Sequence, residues 1–451
     1  YEPGEEGAGV GAQPGPPREP RDGRQLWNLP APDGTCPHLP APARTCPHPI
    51  ELRCASLLPV LSLHFQEVVV RRVFLALVLV GLTLPPAAAQ TAPELPFESV
   101  PNPLTLPDDI HFGEIAGVAV NSKGHIFVFS RGNSTGPAYM ATAAQLLEFD
   151  QKGKFVREIG KNLFAWSYAH AVRIDKQDNI WIVDKGSNMI LKMNPQGRVE
   201  WVFGRKGESS HLDVPPDYAS QLGQILQRAG VAVTLPANNN PRNPVPVHRD
   251  NVFNQPTDVA WDSKGNSYFS DGYVNSRVGK ANARGEWVAS WGSLGNGQGQ
   301  FDTPHGIAVS PKDEVYVADR GNRRIQVFDT EGKYIRQFTI DVPVDTKRGK
   351  ITYGVELPDA KTGSLAPGAP DALCMTPGPN PVLFVGDLYP SRIYKVSLEG
   401  KLLGVYGQPG RNLGEFGWIH AIACPSENEV WVGELINWRV QKLVTKGTGT
   451  R

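Results

Sequence analysis

Short apolar segments alternate with polar turn residues through most of the chain, and the clearest example lies at residues 301–338. There the apolar segments GIAVS, EVYVAD, RIQVFD and YIRQF are separated by the polar segments PKDE, RGNR and TEGK. Apolar runs rich in β-branched and aromatic residues are typical of strands, and Pro, Gly, Asn and Asp are typical of tight turns. Residues 301–338 are therefore predicted to form four short strands.

This four-strand pattern recurs at a spacing of about forty residues, which is typical of a β-propeller blade. The last copy has only three strands, and we expect residues 95–106 to supply the fourth and close the ring. We therefore predict an all-β fold, a six-bladed β-propeller. The six copies lie at residues 117–160, 171–204, 258–292, 301–338, 372–407 and 421–444.

Two long insertions interrupt the repeats, at residues 205–250 and 341–370. Residues 217–228 have apolar positions at helical spacing and are predicted to form one short helix. Long loops on a rigid scaffold often shape the mouth of a binding site, and they also occur as plain surface loops. Both interpretations of the insertions stay open at this point.

The N-terminal part of the chain differs from the repeats. Residues 1–67 are rich in Pro, Gly and Arg, and no Met precedes Met140, so we expect a non-native or disordered extension. In residues 68–89, two arginines precede an apolar run and an AAAQ junction. This order predicts a signal peptide, because the run is shorter than the roughly 20 residues of a membrane-spanning helix; a retained anchor is the alternative. We expect the propeller, residues 90–451, to be secreted or periplasmic, without stable membrane insertion after cleavage.

Composition narrows the range of partners. The chain has 451 residues, 45 basic and 45 acidic side chains and 40% hydrophobic residues, as in a soluble globular protein. This balance gives no support for binding nucleic acid. We expect a monomer that takes a small-molecule or peptide substrate. From Gln90 onward only Cys374 and Cys424 remain, and either a disulfide or two buried thiols is compatible with their positions.

Three histidines occupy the same register in every second repeat, namely His170, His305 and His420. Alternate blades of a six-bladed ring lie a third of a turn apart, so the three imidazoles are expected to converge on one metal ion. Neutral imidazoles with open coordination positions suit Zn²⁺, and Cu²⁺, Fe²⁺ and Mn²⁺ are compatible with the same ligands. One histidine at this register would indicate a structural role. Three histidines in alternate repeats predict a metal site. The intervening repeats carry Ala116, Thr257 and Asp371 at this register.

An acidic residue closes the second strand in five repeats, and this regularity indicates a structural role, as a carboxylate that accepts backbone N–H groups. These residues are Asp184, Asp271, Asp319, Asp387 and Glu434. Two repeats depart from the pattern in ways that point to function. In the first, Ser130 replaces the acid and Arg131 follows it, and in the third, Tyr273 lies two residues after the acid. Polar residues that break a regular repeat are candidates for a functional role.

The repeats resemble the NHL family of propellers, and residues 253–280, FNQPTDVAWDSKGNSYFSDGYVNSRVGK, resemble the peptidyl-α-hydroxyglycine α-amidating lyases. Those lyases carry QPTDVAV and VSDGYCNSRI here, and GKNLF before His170 and VADRGNRRIQVF after His305 also match. The resemblance covers about 110–442. It implies a six-bladed propeller that holds zinc through His170, His305 and His420. It further implies that Tyr273 is the catalytic tyrosine and Arg131 an active-site arginine.

The chain departs from that family at several positions. A cysteine pair of the family is replaced by Asn254 and Val274, as expected if one disulfide is absent. The aspartate that follows the third histidine in the family is Ala421 here, which argues against the family's Ca²⁺ ion and leaves open whether the activity is retained. Trp418 and Ile419 replace the methionine and proline that precede this histidine in the family.

The resemblance implies a secreted zinc-dependent lyase that cleaves peptidyl-α-hydroxyglycine to a peptide amide and glyoxylate. Tyr273 would act as general base with its pKa lowered by the metal and Arg131, and Arg131 would also hold the substrate carboxylate. Two alternatives remain: a non-catalytic NHL propeller that binds protein or glycan, and a metal-dependent hydrolase that uses the same site. A sugar-lactone hydrolase on a related propeller would require acidic metal ligands instead of histidines.

Overall fold

The computed structural model describes residues 90–132, 143–206, 249–345, 347 and 357–447. The chain divides into two compact units, residues 1–83 and 84–451, and every described residue belongs to the second unit. The expected extension (1–67), the expected signal peptide (68–89) and the predicted helix (217–228) lie outside the described residues. Within the described ranges, no helix is long and apolar enough to cross a membrane.

Five antiparallel sheets each consist of four strands that follow one another in the chain. We call them blades 1 to 5. Their strands are, in blade 1, β2 (Ile115–Val120), β3 (Ile126–Ser130), β4 (Gln145–Phe149) and β5 (Phe155–Ile159); in blade 2, β6 (Ala169–Ile174), β7 (Ile180–Asp184), β8 (Met189–Met193) and β9 (Val199–Gly204); in blade 3, β10 (Asp258–Trp261), β11 (Ser267–Asp271), β12 (Arg277–Ala281) and β13 (Trp287–Trp291); in blade 4, β14 (Pro304–Val309), β15 (Val315–Asp319), β16 (Arg324–Phe328) and β17 (Tyr334–Phe338); and in blade 5, β18 (Pro370–Met375), β19 (Leu383–Asp387), β20 (Ile393–Val396) and β21 (Leu402–Tyr406).

The sixth sheet, blade 6, combines the two ends of the propeller. It contains β24 (Ile419–Ser426), β25 (Glu429–Glu434), β26 (Arg439–Thr445) and, as its outer strand, β1 (Phe97–Val100). Strand β1 runs antiparallel to β26, with Phe97 opposite Thr445 and Val100 opposite Lys442. A short parallel pair, β22 (Gln408–Pro409) and β23 (Glu415–Phe416), precedes this blade. The outer strand of blade 6 thus comes from the N-terminal side of the propeller.

The innermost strands β2, β6, β10, β14, β18 and β24 form a ring around a central channel. Each contacts the innermost strand of the next blade, and β24 contacts β2. The second strands of blades 1 to 5 are buried at every position, whereas the outer strand β17 alternates between half-buried and exposed residues. This gradient follows from face-to-face packing of neighbouring blades, and the predicted six-bladed β-propeller is confirmed.

Two glycines allow the inner strands of neighbouring blades to approach closely. A Cβ atom on Gly117 would lie 2.6 Å from the backbone nitrogen of Val172, and one on Gly306 would lie 2.8 Å from that of Leu373. Cys374 on β18 and Cys424 on β24 form a disulfide, with their Cα atoms 6.0 Å apart. The disulfide links the inner strands of blades 5 and 6.

The acidic residue that closes each second strand is buried and accepts hydrogen bonds from the loop before the inner strand. Asp319 accepts the backbone N–H of Asp302 and side-chain bonds from Asn322, Arg324 and Gln326. Equivalent bonds from the backbone are made to Asp184, Asp271, Asp387 and Glu434. In blade 1, the hydroxyl of Ser130 accepts the N–H of Gly113 instead. These contacts fit the structural role inferred from the repeat pattern.

We expect the Asp319→Ala variant to lose about 3–5 kcal/mol of unfolding free energy, because it leaves the buried Arg324 guanidinium without its carboxylate. Denaturation in guanidinium chloride measures this loss. The matched control is Asp329→Ala, since Asp329 accepts two backbone N–H groups in an exposed turn and its removal should cost about 1 kcal/mol. Equal losses in the two variants would contradict the structural role of Asp319.

Candidate metal centre

The structure brings the three predicted histidines together in the channel. His170, His305 and His420 are the second residues of β6, β14 and β24, and each is at most 5% exposed. One ring nitrogen from each lies within 4.8 Å of the others. Within the described residues, these three histidines are the cluster with the donors and spacing to hold a metal ion.

Backbone carbonyl groups fix the orientation of the three imidazole rings. The Nδ1 atoms of His170, His305 and His420 donate to the carbonyl oxygens of Thr257, Asp371 and Ala116, at 2.6, 2.8 and 2.8 Å. Each acceptor occupies the histidine register of the next blade. Because Nδ1 carries the proton, Nε2 is left with a lone pair, which is the arrangement of a metal-binding histidine. The Nε2 atom of His420 is buried and has no hydrogen-bond partner among the described residues, so it fits a metal ligand.

The electrostatics favour neutral imidazoles at two of the three positions. Burial and the neighbouring histidines hold the pKa of His170 well below its usual range, and burial does the same for His420. Burial also opposes protonation of His305, but the carboxylate of Asp371 outweighs it and raises the pKa of His305. Neutral imidazole is the form that binds a metal ion.

Tyr273, the catalytic tyrosine that the family resemblance implies, lies against the histidines. Its hydroxyl oxygen is 3.4 Å from Nε2 of His170 and 3.3 Å from Nε2 of His305. The loop reaches blade 4 because Gly272 has no side chain, and a Cβ atom there would lie 1.8 Å from the carbonyl oxygen of Pro304. Burial raises the pKa of Tyr273, but the positive charges around it, led by Lys185, prevail and lower this pKa to about 6. The phenolate is therefore favoured at this position.

Arg131 lies beside the histidines but already has an acidic partner. Its Nη1 atom donates to the carboxylate of Glu114, and its Nε atom donates to the carbonyl oxygen of Ala169 at 3.2 Å. Its guanidinium carbon is 3.9 Å from the ring centre of Tyr168. The charge of Arg131 contributes to the lowered pKa of His170.

Two basic residues that the sequence analysis did not single out face Tyr273. The Nζ atom of Lys185 is 3.4 Å from the ring centre of Tyr273, and the guanidinium carbon of Arg320 is 5.3 Å from it. The repeat register contains the signal that would have found them. Lys185 and Arg320 directly follow the acid that closes the second strand, just as Arg131 follows Ser130.

Asp371 connects His305 to Arg320. It is fully buried, and its Oδ1 atom lies 2.9 Å from Nδ1 of His305 and 3.0 Å from Nη1 of Arg320. Its Oδ2 atom accepts the indole N–H of Trp418 at 2.7 Å. Burial opposes ionisation, but the charges of His305 and Arg320 hold the pKa of Asp371 far below its usual range. This carboxylate therefore positions both a candidate ligand and a basic residue of the site.

An arginine fills the channel on one side of the histidines. Arg173 is paired with Asp258 at 2.5 Å and donates to the carbonyl oxygens of Leu373 and Ile422 in blades 5 and 6. Strand β7 ends opposite Ala169, so Lys185 lies near the start of β6 and Arg173 lies further along that strand. The basic residues around Tyr273 are therefore on the opposite side of the histidines from Arg173.

Comparisons with known proteins agree with this architecture. The NHL repeat model matches residues 301–328. The chain is 30% identical over 247 residues to peptidylglycine alpha-amidating monooxygenase of Rattus norvegicus, covering 50% of this chain and 22% of that protein. It thus spans about a fifth of the length of that relative. A probable peptidyl-alpha-hydroxyglycine alpha-amidating lyase of Caenorhabditis elegans is 23% identical over 328 residues, covering 63% of this chain and 83% of that protein.

Among solved structures, a virginiamycin B lyase from Staphylococcus aureus is similar with a TM-score of 0.44 and 14% identity, covering 78% of this chain and 99% of that one. The chain is a six-bladed β-propeller with an NHL repeat at residues 301–328, and it resembles the peptidyl-α-hydroxyglycine α-amidating lyases.

Proposed function

We propose that this propeller is a zinc-dependent lyase that cleaves an N-acyl-α-hydroxyglycine to an amide and glyoxylate. The observation that carries the proposal is the convergence of three oriented histidines with the Tyr273 hydroxyl, which lies within 3.4 Å of two of their Nε2 atoms. The name of the Caenorhabditis elegans relative, a probable lyase, supports the same reaction class.

The donor set suits zinc. Three imidazoles that donate through Nδ1 and present Nε2 form the open three-ligand arrangement of catalytic zinc sites. The Nε2 atom of His420 has no hydrogen-bond partner within the described ranges, and it supports the same assignment because a buried acceptor without a partner is costly. A zinc ion held by these histidines would supply a Lewis acid for the negative charge that develops on the substrate hydroxyl oxygen.

In this proposal Tyr273 moves the proton. Its phenolate oxygen takes the proton of the substrate hydroxyl, the C–N bond breaks, and the electron pair leaves with the amide nitrogen. The same tyrosine returns the proton to that nitrogen, which gives the amide and the aldehyde of glyoxylate. The reaction needs no water, oxidant or reductant. Asp371 holds His305 and Arg320 in place while this proton moves.

The disulfide between Cys374 and Cys424 supports a secreted or periplasmic location, because disulfides persist in oxidising compartments. A small N-acyl amino acid or a peptide end would reach Tyr273 from the side of the channel that Arg173 does not fill.

The test uses the full zinc-loaded chain and N-benzoyl-α-hydroxyglycine. We expect benzamide and glyoxylate to appear in equal amounts, faster than with the metal-free protein. Release of benzoate would instead indicate a metal-dependent hydrolase at the same site. Product formation no faster than with the metal-free protein would contradict both enzymatic assignments and favour a non-catalytic binding propeller.

A further inference from the structure

Three basic side chains and two tyrosines form one continuous group beside the histidines. Arg131 lies over the ring of Tyr168, Lys185 lies 5.7 Å from the centre of that ring and 3.4 Å from that of Tyr273, and Arg320 lies on Tyr273. The three cations come from blades 1, 2 and 4 at the same register, one residue after the end of the second strand. The repeat therefore directs three positive charges toward one side of the channel.

Two of these three cations are already neutralised within the protein. Arg131 is paired with Glu114, and Arg320 is paired with Asp371 at 3.0 Å. Lys185 forms no ion pair with a carboxylate among the described residues, and its favourable electrostatic partner is Tyr273. The phenolate of Tyr273 offsets the charge of Lys185 in the free protein, but it becomes neutral when it takes the substrate proton, and a ligand carboxylate would then supply the missing negative charge.

We propose that Lys185 binds the carboxylate of the substrate, next to the carbon that undergoes cleavage, and so selects acids over neutral analogues. This inference rests on the proposed lyase function and names the residue that binds the substrate carboxylate. The substrate carboxylate is bonded directly to the reacting carbon, so its cationic partner must lie close to Tyr273. Lys185 meets this condition, whereas the guanidinium of Arg131 is engaged by Glu114 and Ala169.

The product supports the same assignment on chemical grounds. Glyoxylate keeps the carboxylate of the substrate, so Lys185 would hold the product as well. We therefore expect glyoxylate to compete with the acid substrate in the wild-type protein, and the Lys185→Met substitution to weaken this competition.

The experiment compares N-benzoyl-α-hydroxyglycine with its methyl ester as substrates of the zinc-loaded chain. Lys185→Met is expected to raise KM for the acid by about 10- to 100-fold, the effect of one charge-assisted hydrogen bond, and to leave KM for the ester within about twofold. Lys185→Arg should recover most of the preference for the acid. The control is Lys192→Met, which removes a lysine of the same blade that is paired with Glu200 at 3.7 Å. The ratio of the two KM values does not depend on the fraction of folded protein.

A binding measurement separates this inference from the lyase proposal. N-benzoylglycine lacks the hydroxyl group and cannot undergo the lyase reaction, so calorimetry with this acid and its methyl ester reports recognition without lyase turnover. A preference for the acid that disappears in Lys185→Met supports the inference even if no glyoxylate is ever released. Equal binding of acid and ester by the wild type, or an unchanged acid preference in Lys185→Met, would overturn it while leaving the lyase activity intact.

Discussion

Replacing His420 with alanine is expected to weaken zinc binding by more than about 100-fold. Losing a group that merely orients a metal ligand weakens binding by about 10- to 100-fold, and this variant loses a ligand itself. In the wild type at free zinc about 1,000 times Kd, bound metal should add about 4 kcal/mol to the unfolding free energy. A chelator should remove this increment from the wild type and have almost no effect on His420→Ala. Competition with a chelating dye gives the affinity, and chemical denaturation gives the increment.

The control for this variant is His111→Ala, because His111 is exposed and lies outside the channel. It should bind zinc as the wild type does and show the full effect of the chelator. Zinc that remains stoichiometric and equally tight in His420→Ala would exclude the three-histidine centre. The Nε2 atom of His420 would then be a buried acceptor without any function that the structure explains.

The fold could be predicted from local pattern because each blade is encoded within its own segment. The four runs at residues 301–338 correspond to β14, β15, β16 and β17, with shifts of a few residues at their ends. The apolar pattern starts the first strand at Gly306, whereas β14 begins at Pro304 and includes His305. Strand ends depend on pairing with the neighbouring strand, here Pro304 opposite Asp319, and apolar pattern alone does not show that pairing.

The sequence predicts only those residues of the candidate site that occupy equivalent positions in the repeats. Histidines in every second blade project to one point by symmetry, so their convergence follows from the repeat. Lys185 and Asp371 contact their partners across different blades, and those distances depend on how the closed ring tilts its inner strands. Asp371 was noted only as the residue at the histidine register of blade 5. Its contact with Arg320 and His305 becomes visible once β14 and β18 are placed side by side.

The Tyr273→Phe variant is expected to lower kcat for N-benzoyl-α-hydroxyglycine by about 10²- to 10⁴-fold, the range for loss of a general acid–base group. The phenolic oxygen is the atom that lies against His170 and His305, while the phenyl ring keeps its packing below Lys185. Zinc content should stay unchanged, because all three histidines and their carbonyl partners remain. KM should change little, since the contact with the substrate carboxylate is assigned to Lys185. Single-turnover measurement of glyoxylate release would separate the chemical step from product release.

The matched control removes a hydroxyl group from β11, the strand that precedes Tyr273. Tyr268 lies on β11 and donates to Asp262 at 2.9 Å, toward the far end of the strand from Tyr273. Tyr268→Phe should lose about 1 kcal/mol of unfolding free energy and keep its kcat, which is the opposite of the result expected for Tyr273→Phe. If Tyr273→Phe keeps the wild-type rate, another group must take the proton. Tyr273 would then lose its assigned role, and the products, benzamide with glyoxylate or benzoate, would still decide between the lyase and the hydrolase.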